Sequence, residues 1–87
     1  MNHLHRYLLI EAEKYRVLGN GVKAMEYFDR AIGAAGENGY SQEKALASER
    51  AAEFHLAQDR KNIARFYIME ALYEYGRLGA LAKTRQF

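Results

Sequence analysis

Apolar residues recur at intervals of three and four in two neighbouring stretches near the start of the chain. They are Leu4, Leu8, Ala12, Tyr15 and Leu18 in the first stretch, and Ala24, Phe28, Ala31, Ile32 and Ala35 in the second. This spacing places each set on one face of an α-helix, and it predicts helices over about 3–18 and 21–35. The glycines and asparagine at 19–21 favour a tight turn, because both residue types tolerate positive φ. We therefore expect an αα-hairpin in which Ala24 and Ala31 allow a close approach of the two helices.

The second half of the chain carries the same pattern in a weaker form. Two more helices are predicted, over about 42–58 and 60–77. Gly76 and Gly79 are expected to end the fourth helix, because glycine is common just beyond a helix C-terminus. A short C-terminal helix then follows over about 79–87.

Polar residues stand where three of these helices are expected to begin. Asn20, Ser41 and Asp59 are the predicted N-cap residues, since their side chains accept hydrogen bonds from the first helical turn. The sequence thus predicts a single all-α domain of two antiparallel αα-hairpins, with four main helices, plus the short C-terminal helix. The first hairpin unit spans about 3–36 and the second about 42–77.

Composition narrows the class of protein. Eighty-seven residues make one small domain, and the absence of cysteine excludes disulfides and thiolate metal sites and fits a cytoplasmic protein. A net charge of +2 from 13 basic and 11 acidic residues is too balanced to indicate a nucleic-acid partner. No apolar run approaches the roughly 20 residues that span a bilayer, so we expect no membrane partner.

Displacing the chain by 40 residues superimposes the two hairpins. The matching pairs are Ala12 with Ala52, Glu13 with Glu53, Ala24 with Ala64, Tyr27 with Tyr67, Ala31 with Ala71, Gly36 with Gly76, and Gly39 with Gly79. Self-similar helical hairpins are typical of solenoid proteins. The first unit resembles the tetratricopeptide repeat through Ala12, Tyr15, Gly19, Asn20, Ala24, Phe28 and Ala31. The second unit matches more loosely through Ala52, His55, Ala64, Ile68 and Ala71, so that the resemblance covers about residues 5–76.

Three features depart from that repeat. The period is 40 residues rather than the usual 34 or so. His5 stands where the repeat has its early aromatic residue, and Gly36 and Gly76 replace its closing proline. These departures concern the angle at which hairpins stack rather than the hairpins themselves.

The resemblance implies a partner-binding surface, because tetratricopeptide repeats bind through the first helix of each hairpin. Carried over to this chain, that concave face consists of Arg6, Leu9, Ile10, Glu13, Arg16, Leu46, Glu49, Arg50 and Glu53. Some members clamp a peptide carboxylate with lysine and asparagine. Here Leu9 and Glu13 occupy two of those positions, so we expect no such clamp. The mixed charge and partly apolar character suit a peptide or a helix.

The second half also looks like the helical-repeat segments of large multidomain bacterial signalling proteins, which join kinase, predicted ATPase and sensor modules. The similar stretches are 49–54, 63–65, Tyr75 and 79–83. This resemblance implies that the chain is a piece of a larger signalling protein. A designed repeat fragment is the other origin that we consider.

The residues offer little catalytic chemistry. His3 and His5 point to different sides of a helix and have no third ligand nearby in sequence, so a solvated N-terminus is the simpler interpretation. His55 lies in an apolar stripe, where a packed and hydrogen-bonded imidazole is expected. No Glu-x-x-His pair and no phosphate-binding loop motif occurs. We expect neither catalysis nor a metal or other cofactor.

These observations favour a non-catalytic scaffold that binds a protein or peptide. Two hairpins leave apolar ends open, so we also expect a homodimer that buries Tyr7, Ile10 or the segment 78–87. One alternative is a small basic helical module that binds nucleic acid through Arg60, Lys61, Arg65, Arg77, Lys83 and Arg85. Another is a small four-helix enzyme or metal carrier.

Overall fold

Four helices follow one another in this computed structural model. They are α1 (Leu4–Val17), α2 (Gly21–Glu37), α3 (Ser41–Ala57) and α4 (Lys61–Gln86). The structure describes the backbone of residues 4–86 and the side chains of residues 4–79. Contacts join α1 to α2 and α3 to α4, and α2 packs against α3. The prediction of an all-α protein built of two antiparallel hairpins is confirmed.

The three turns between the helices share one geometry. Gly19, Gly39 and Asp59 each adopt a positive φ, of 83°, 75° and 62°. In each turn the following residue donates its backbone N–H to the carbonyl five residues earlier, as Asn20 does to Tyr15 over 2.9 Å. This pair of features defines a Schellman motif, which satisfies the last carbonyls of a helix. The helix-plus-turn unit therefore repeats every 20 residues, and the 40-residue period of the sequence is two such units.

This geometry decides which N-cap predictions hold. Asn20 is confirmed, because its side chain accepts a hydrogen bond from the Lys23 backbone N–H over 3.2 Å. Ser41 is wrong: it is the first helical residue, and Tyr40 takes the cap position without a side-chain bond. Asp59 is also wrong, because it adopts the left-handed conformation and α4 begins two residues later.

Small side chains form most of the core. Ala24 and Ala31 are buried, which confirms the close approach of α1 and α2, and Phe28 is the largest fully buried side chain. Its ring packs at 5.7 Å, between ring centroids, from that of Phe54 on α3. These contacts place the core between the two hairpins as well as within each one. Alanine at most core positions lets the helices pack closely, and Leu8, Phe28 and Phe54 are the large apolar side chains buried among them.

The end of the chain differs from the prediction. Gly76 and Gly79 lie inside α4, and the segment predicted as a separate short helix is the continuation of α4 to Gln86. Both glycines are exposed, and neither has a positive φ. Glycine weakens a helix interior by about 1 kcal/mol, but it ends a helix only when the backbone turns left-handed. The contact stripe of α4 continues through Ala71, Glu74 and Leu78, which favours an unbroken helix.

The molecule is a slab with principal extents of 47 × 33 × 17 Å. Among the described residues, no helix combines the length and the hydrophobicity that a bilayer crossing requires.

Candidate functional site

Two grooves follow the seam between α1 and α3, the first helices of the two hairpins. The first, which we call the apolar groove, has a volume of about 370 Å³. Its lining residues are His5, Arg6, Leu9, Ile10, Ala31, Glu43, Leu46 and Ala47. Ile10 is 66% exposed and Leu46 is 38% exposed, which is a large apolar exposure for a chain this short. A contact between Arg6 and Glu43 at 3.6 Å borders the groove with one pair of opposite charges.

The second groove lies further along the same seam, and we call it the charged groove. Its lining residues are Glu13, Arg16, Arg50, Glu53, Phe54 and Ala57, around a volume of about 180 Å³. The charges pair within each helix: Arg16 bonds to Glu13 at 2.8 Å and Arg50 to Glu53 at 3.4 Å. Arg16, Arg50 and Glu53 are exposed, and Glu13 is half-buried. Such exposed pairs exchange partners at little cost, so they are available to a docking molecule.

Eight of the nine residues predicted from the repeat resemblance line these two grooves. They are Arg6, Leu9, Ile10 and Leu46 in the apolar groove, and Glu13, Arg16, Arg50 and Glu53 in the charged groove. Glu49 is placed elsewhere, because its carboxylate accepts a hydrogen bond from the Tyr75 hydroxyl of α4 over 3.1 Å. Burial, followed by this bond, raises the pKa of Tyr75.

His5 lies at the end of the apolar groove and is buried rather than solvated. Its ring packs 4.6 Å, between centroids, from that of Tyr40 in the second turn. Within the described residues, its Nε2 atom has no hydrogen-bond partner. The predicted solvated N-terminus is therefore wrong at His5, because the turn between α2 and α3 folds an aromatic ring over it. His3 lies outside the described residues.

His55 is packed and hydrogen-bonded, as predicted. The Arg60 Nε–H donates to its Nδ1 over 3.0 Å, and its ring stacks on Tyr67 at 5.3 Å between centroids. Burial and the neighbouring positive charge of Arg60 lower the pKa of His55. The imidazole is thus neutral at pH 7 and serves as a hydrogen-bond acceptor.

Arg60, one of the basic residues predicted for nucleic-acid binding, makes further contacts within the protein. Its guanidinium reaches the sulfur of Met25 on α2 at 3.9 Å and lies over the ring of Phe54 at 5.5 Å. Another of the predicted basic residues, Arg77, pairs with Glu74 at 3.4 Å. Lys61 and Arg65 are exposed, and the side chains of Lys83 and Arg85 lie outside the described part of the chain.

A wider groove of about 650 Å³ lies between α2 and α4, on a side that sequence reasoning did not single out. At its base the Tyr67 hydroxyl donates a hydrogen bond to Asp29, and burial together with this bond raises the pKa of Tyr67. Lys44 contacts Glu70 at 3.6 Å and the buried Glu74 at 3.3 Å. Burial acts to lower the pKa of Lys44, but the two carboxylates outweigh it and raise the pKa. These contacts join α2 to α4 and α3 to α4, although the buried Glu70 Oε1 atom has no hydrogen-bond partner among the described residues.

Comparison with known proteins finds no match: no protein-family model, no curated protein and no solved structure matches this chain. In the described part of the chain, no three histidine, aspartate or glutamate residues come close enough to hold a metal ion. The geometry of the α1–α3 seam is therefore what a functional proposal has to rest on.

Proposed function

We propose that this protein is a non-catalytic interaction module of tetratricopeptide-like type that binds a protein segment along the seam of α1 and α3. The observation that carries the proposal is the convergence of eight predicted residues from two helices on two consecutive grooves. A helix or peptide bound there would bury apolar side chains at one end and exchange ion pairs at the other. Binding of an amphipathic helix in an apolar groove is a common mode of recognition.

The exposed apolar side chains support this proposal more than the charges do. Ile10 and Leu46 face a common groove from different helices, so a single partner side chain can contact both. Desolvated apolar anchors carry most of the affinity at protein interfaces, whereas rim ion pairs contribute mainly to orientation. We expect the apolar groove to provide affinity and the charged groove to fix the direction of the bound segment.

The absence of catalysis is also part of the proposal. His55 is the residue that most resembles a general base. Its Nδ1 atom accepts a hydrogen bond from Arg60, and its ring is buried against Tyr67. A general base has to reach a substrate proton within about 3 Å, and this imidazole faces the interior. The resemblance to repeat segments of bacterial signalling proteins suggests a cytoplasmic scaffold within such a protein as the setting for the interaction.

Self-association is a separate prediction. Tyr7 and Ile10 on α1 are 56% and 66% exposed, and pairing α1 with α1 of a second copy would bury both. Sedimentation velocity at high micromolar concentration tests it. We expect a homodimer that the substitution Tyr7→Asp dissociates. A stable monomer at that concentration would contradict the prediction.

Partner binding is tested by affinity capture from the source cell, followed by titration of the purified partner. The variant Ile10→Asp combined with Leu46→Asp is expected to weaken binding at least tenfold, which corresponds to about 1.4 kcal/mol. Val22→Asp is the matched control, because Val22 is 73% exposed on α2 and lies outside both grooves. Equal loss in the control variant, or retention in the groove variant, would refute the proposal. Capture of RNA or DNA with steep salt dependence would favour the alternative of nucleic-acid binding.

A further inference from the structure

The last helix exposes an apolar side that matches a buried one in the first hairpin. Ile68, Leu72 and Tyr75 of α4 are 38%, 63% and 40% exposed, and we call them the end face. Displaced by 40 residues, the first two correspond to Phe28 and Ile32 of α2. Phe28 is 1% exposed, and both α2 residues pack against α3.

The packing of α3 on α2 therefore indicates which kind of helix can bind to the end face. There α3 presents Ala47 and Ala51, both buried, and the ring of Phe54. Small residues allow the backbones to approach, and the single aromatic ring fills the remaining space. Bulky apolar residues stand on α4 at the positions of Phe28 and Ile32, but exposed Lys61 and Arg65 stand at the positions of Gly21 and Met25, which lie beside Phe54 in the first hairpin. A helix of the same kind therefore fits along Ile68 and Leu72, with its aromatic ring beside these two basic side chains.

Charges beside the end face specify the flank of that helix. Glu49 and Glu53 of α3 correspond, by the same displacement, to Leu9 and Glu13 of α1. Leu9 shares a groove with Leu46 of α3, and Glu13 shares one with Arg50. A helix docked at the end face would present its residue equivalent to Leu46 to Glu49, and its residue equivalent to Arg50 to Glu53. Both positions favour a basic side chain.

The first helix of a second copy fits this description poorly. At the positions where α3 carries Ala51 and Phe54, α1 carries Glu11 and Lys14, which pair with each other at 3.1 Å. Docking α1 onto the end face would bury this ion pair in an apolar contact, and desolvation of charges opposes that. The two ends of the molecule therefore differ: α1 closes one end with charge, and α4 leaves the other end open.

We propose that the end face binds one α-helix of a partner molecule, alanine-rich on its apolar side and basic on the flank that meets Glu49 and Glu53. This surface lies apart from the α1–α3 grooves, and the proposal does not depend on binding there.

The test uses synthetic peptides of residues 41–57, the sequence of α3, with blocked termini and titrated against the whole protein. A peptide with Leu46→Lys is expected to bind at least fivefold more tightly than one with Leu46→Glu at low salt. Glu49→Gln in the protein should reduce this difference, because it removes the carboxylate that the lysine meets.

Protein variants locate the binding. Leu72→Asp in the protein is expected to weaken its affinity for the Leu46→Lys peptide at least tenfold. Met69→Asp is the matched control, because Met69 is equally exposed on α4, and its affinity for the peptide should stay within twofold of the wild-type value. The groove variant Ile10→Asp should leave this binding unchanged, which separates the end face from the α1–α3 grooves. The proposal is overturned if neither peptide binds, if Leu72→Asp binds the peptide as tightly as the wild type, or if Ile10→Asp alone abolishes binding. It is equally overturned if the protein assembles with itself in a way that Leu72→Asp prevents, because a second copy would then be the occupant.

Discussion

At the scale of single residues, the three left-handed turn positions differ in their conformational energy. Gly19 and Gly39 adopt positive φ at no steric cost, whereas Asp59 adopts the same conformation with a β-carbon. An L-residue with a side chain pays about 1 kcal/mol or somewhat more in this region, and aspartate is among the better tolerated. The third turn is therefore formed at a cost that the other two avoid.

We expect Asp59→Gly to raise the free energy of unfolding by about 0.5–1 kcal/mol, measured by urea denaturation. Gly39→Ala should lower it by about 1 kcal/mol, since alanine is strained at φ 75°. Gly33→Ala is the control, because Gly33 lies within α2 with open space at its β-carbon position. There the same substitution should stabilise by about 0.5–1 kcal/mol. A destabilising Asp59→Gly would contradict the assignment of the turn.

His55 gives a prediction about pH. Its pKa is lowered in the folded state, so folding disfavours the protonated imidazole, and the unfolded chain binds a proton more readily near pH 6.5. Stability is therefore complete above about pH 6.5 and falls as the pH drops below that value. His55→Asn keeps an acceptor for Arg60 but does not titrate, and it should flatten the slope of unfolding free energy against pH below about pH 6.5. An unchanged slope in this variant would show that other groups cause the pH dependence.

At the scale of helices, contacts within each hairpin follow from sequence, but contacts between hairpins do not. The spacing of Ala24, Phe28 and Ala31 is sufficient to orient α2, because its polar and apolar sides are distinct. The weak apolar face of α3 is different: it is buried through Ala47, Ser48 and Phe54 as well as Ala45 and Ala52. A helix buried on several sides shows no single stripe, so periodicity cannot orient it.

The continuation of α4 shows a second limit. Glycine is common at helix ends, yet neither Gly76 nor Gly79 forms a left-handed turn. Gly76 does not end α4, and half-buried Leu78 follows it on the contact stripe of the helix. By contrast, Gly39 ends α2, because Tyr40 next to it packs on His5 and redirects the chain.

The bond from Tyr67 to Asp29 joins α4 to α2, and it tests how the hairpins are held together. Tyr67→Phe keeps the stacking on His55 but removes the hydroxyl. It should cost about 1.5–2 kcal/mol, at the lower end of what hydrogen bonds to charged groups contribute, because this bond is exposed. Combined with Asp29→Asn in a double-mutant cycle, the coupling energy should be about 1 kcal/mol.

Tyr73→Phe provides the control for this cycle, because Tyr73 is exposed on the same helix and its ring contact with Arg77 survives the change. It should alter stability by less than about 0.5 kcal/mol. A coupling near zero between Tyr67 and Asp29 would mean that this hydrogen bond does not help to position the second hairpin.

At the scale of the whole molecule, the resemblance to a repeat predicted which side of each hairpin would share a surface. Eight of the predicted residues line the two α1–α3 grooves because the first helices of the two hairpins are neighbours, which follows from stacking alone. Glu49 could not be placed in this way, since its partner Tyr75 stands on a helix that the sequence pattern treats as the far side of the hairpin. The groove between α2 and α4 was missed for the same reason: it depends on the stacking angle, and the 40-residue period leaves that angle open.

The difference between the two ends also belongs to this scale. Charged Glu11 and Lys14 on α1 occupy positions that are buried in α3, whereas α4 keeps apolar Ile68 and Leu72 at the positions of Phe28 and Ile32, which pack against α3. We therefore expect a further helix to dock on the end face of α4 rather than on the side of α1 that carries Glu11 and Lys14.

Site-specific photo-crosslinking tests the central claim, that the α1–α3 seam contacts a protein partner, most directly. Benzoylphenylalanine is introduced in place of Ile10, Leu46 or, as the outward-facing control on α2, Val22, and each protein is irradiated in an extract of the source cell. If the α1–α3 seam binds a protein partner, we expect the same protein adduct from positions 10 and 46 and none from position 22. Adducts of equal yield from all three positions, or none from either groove position, would contradict it.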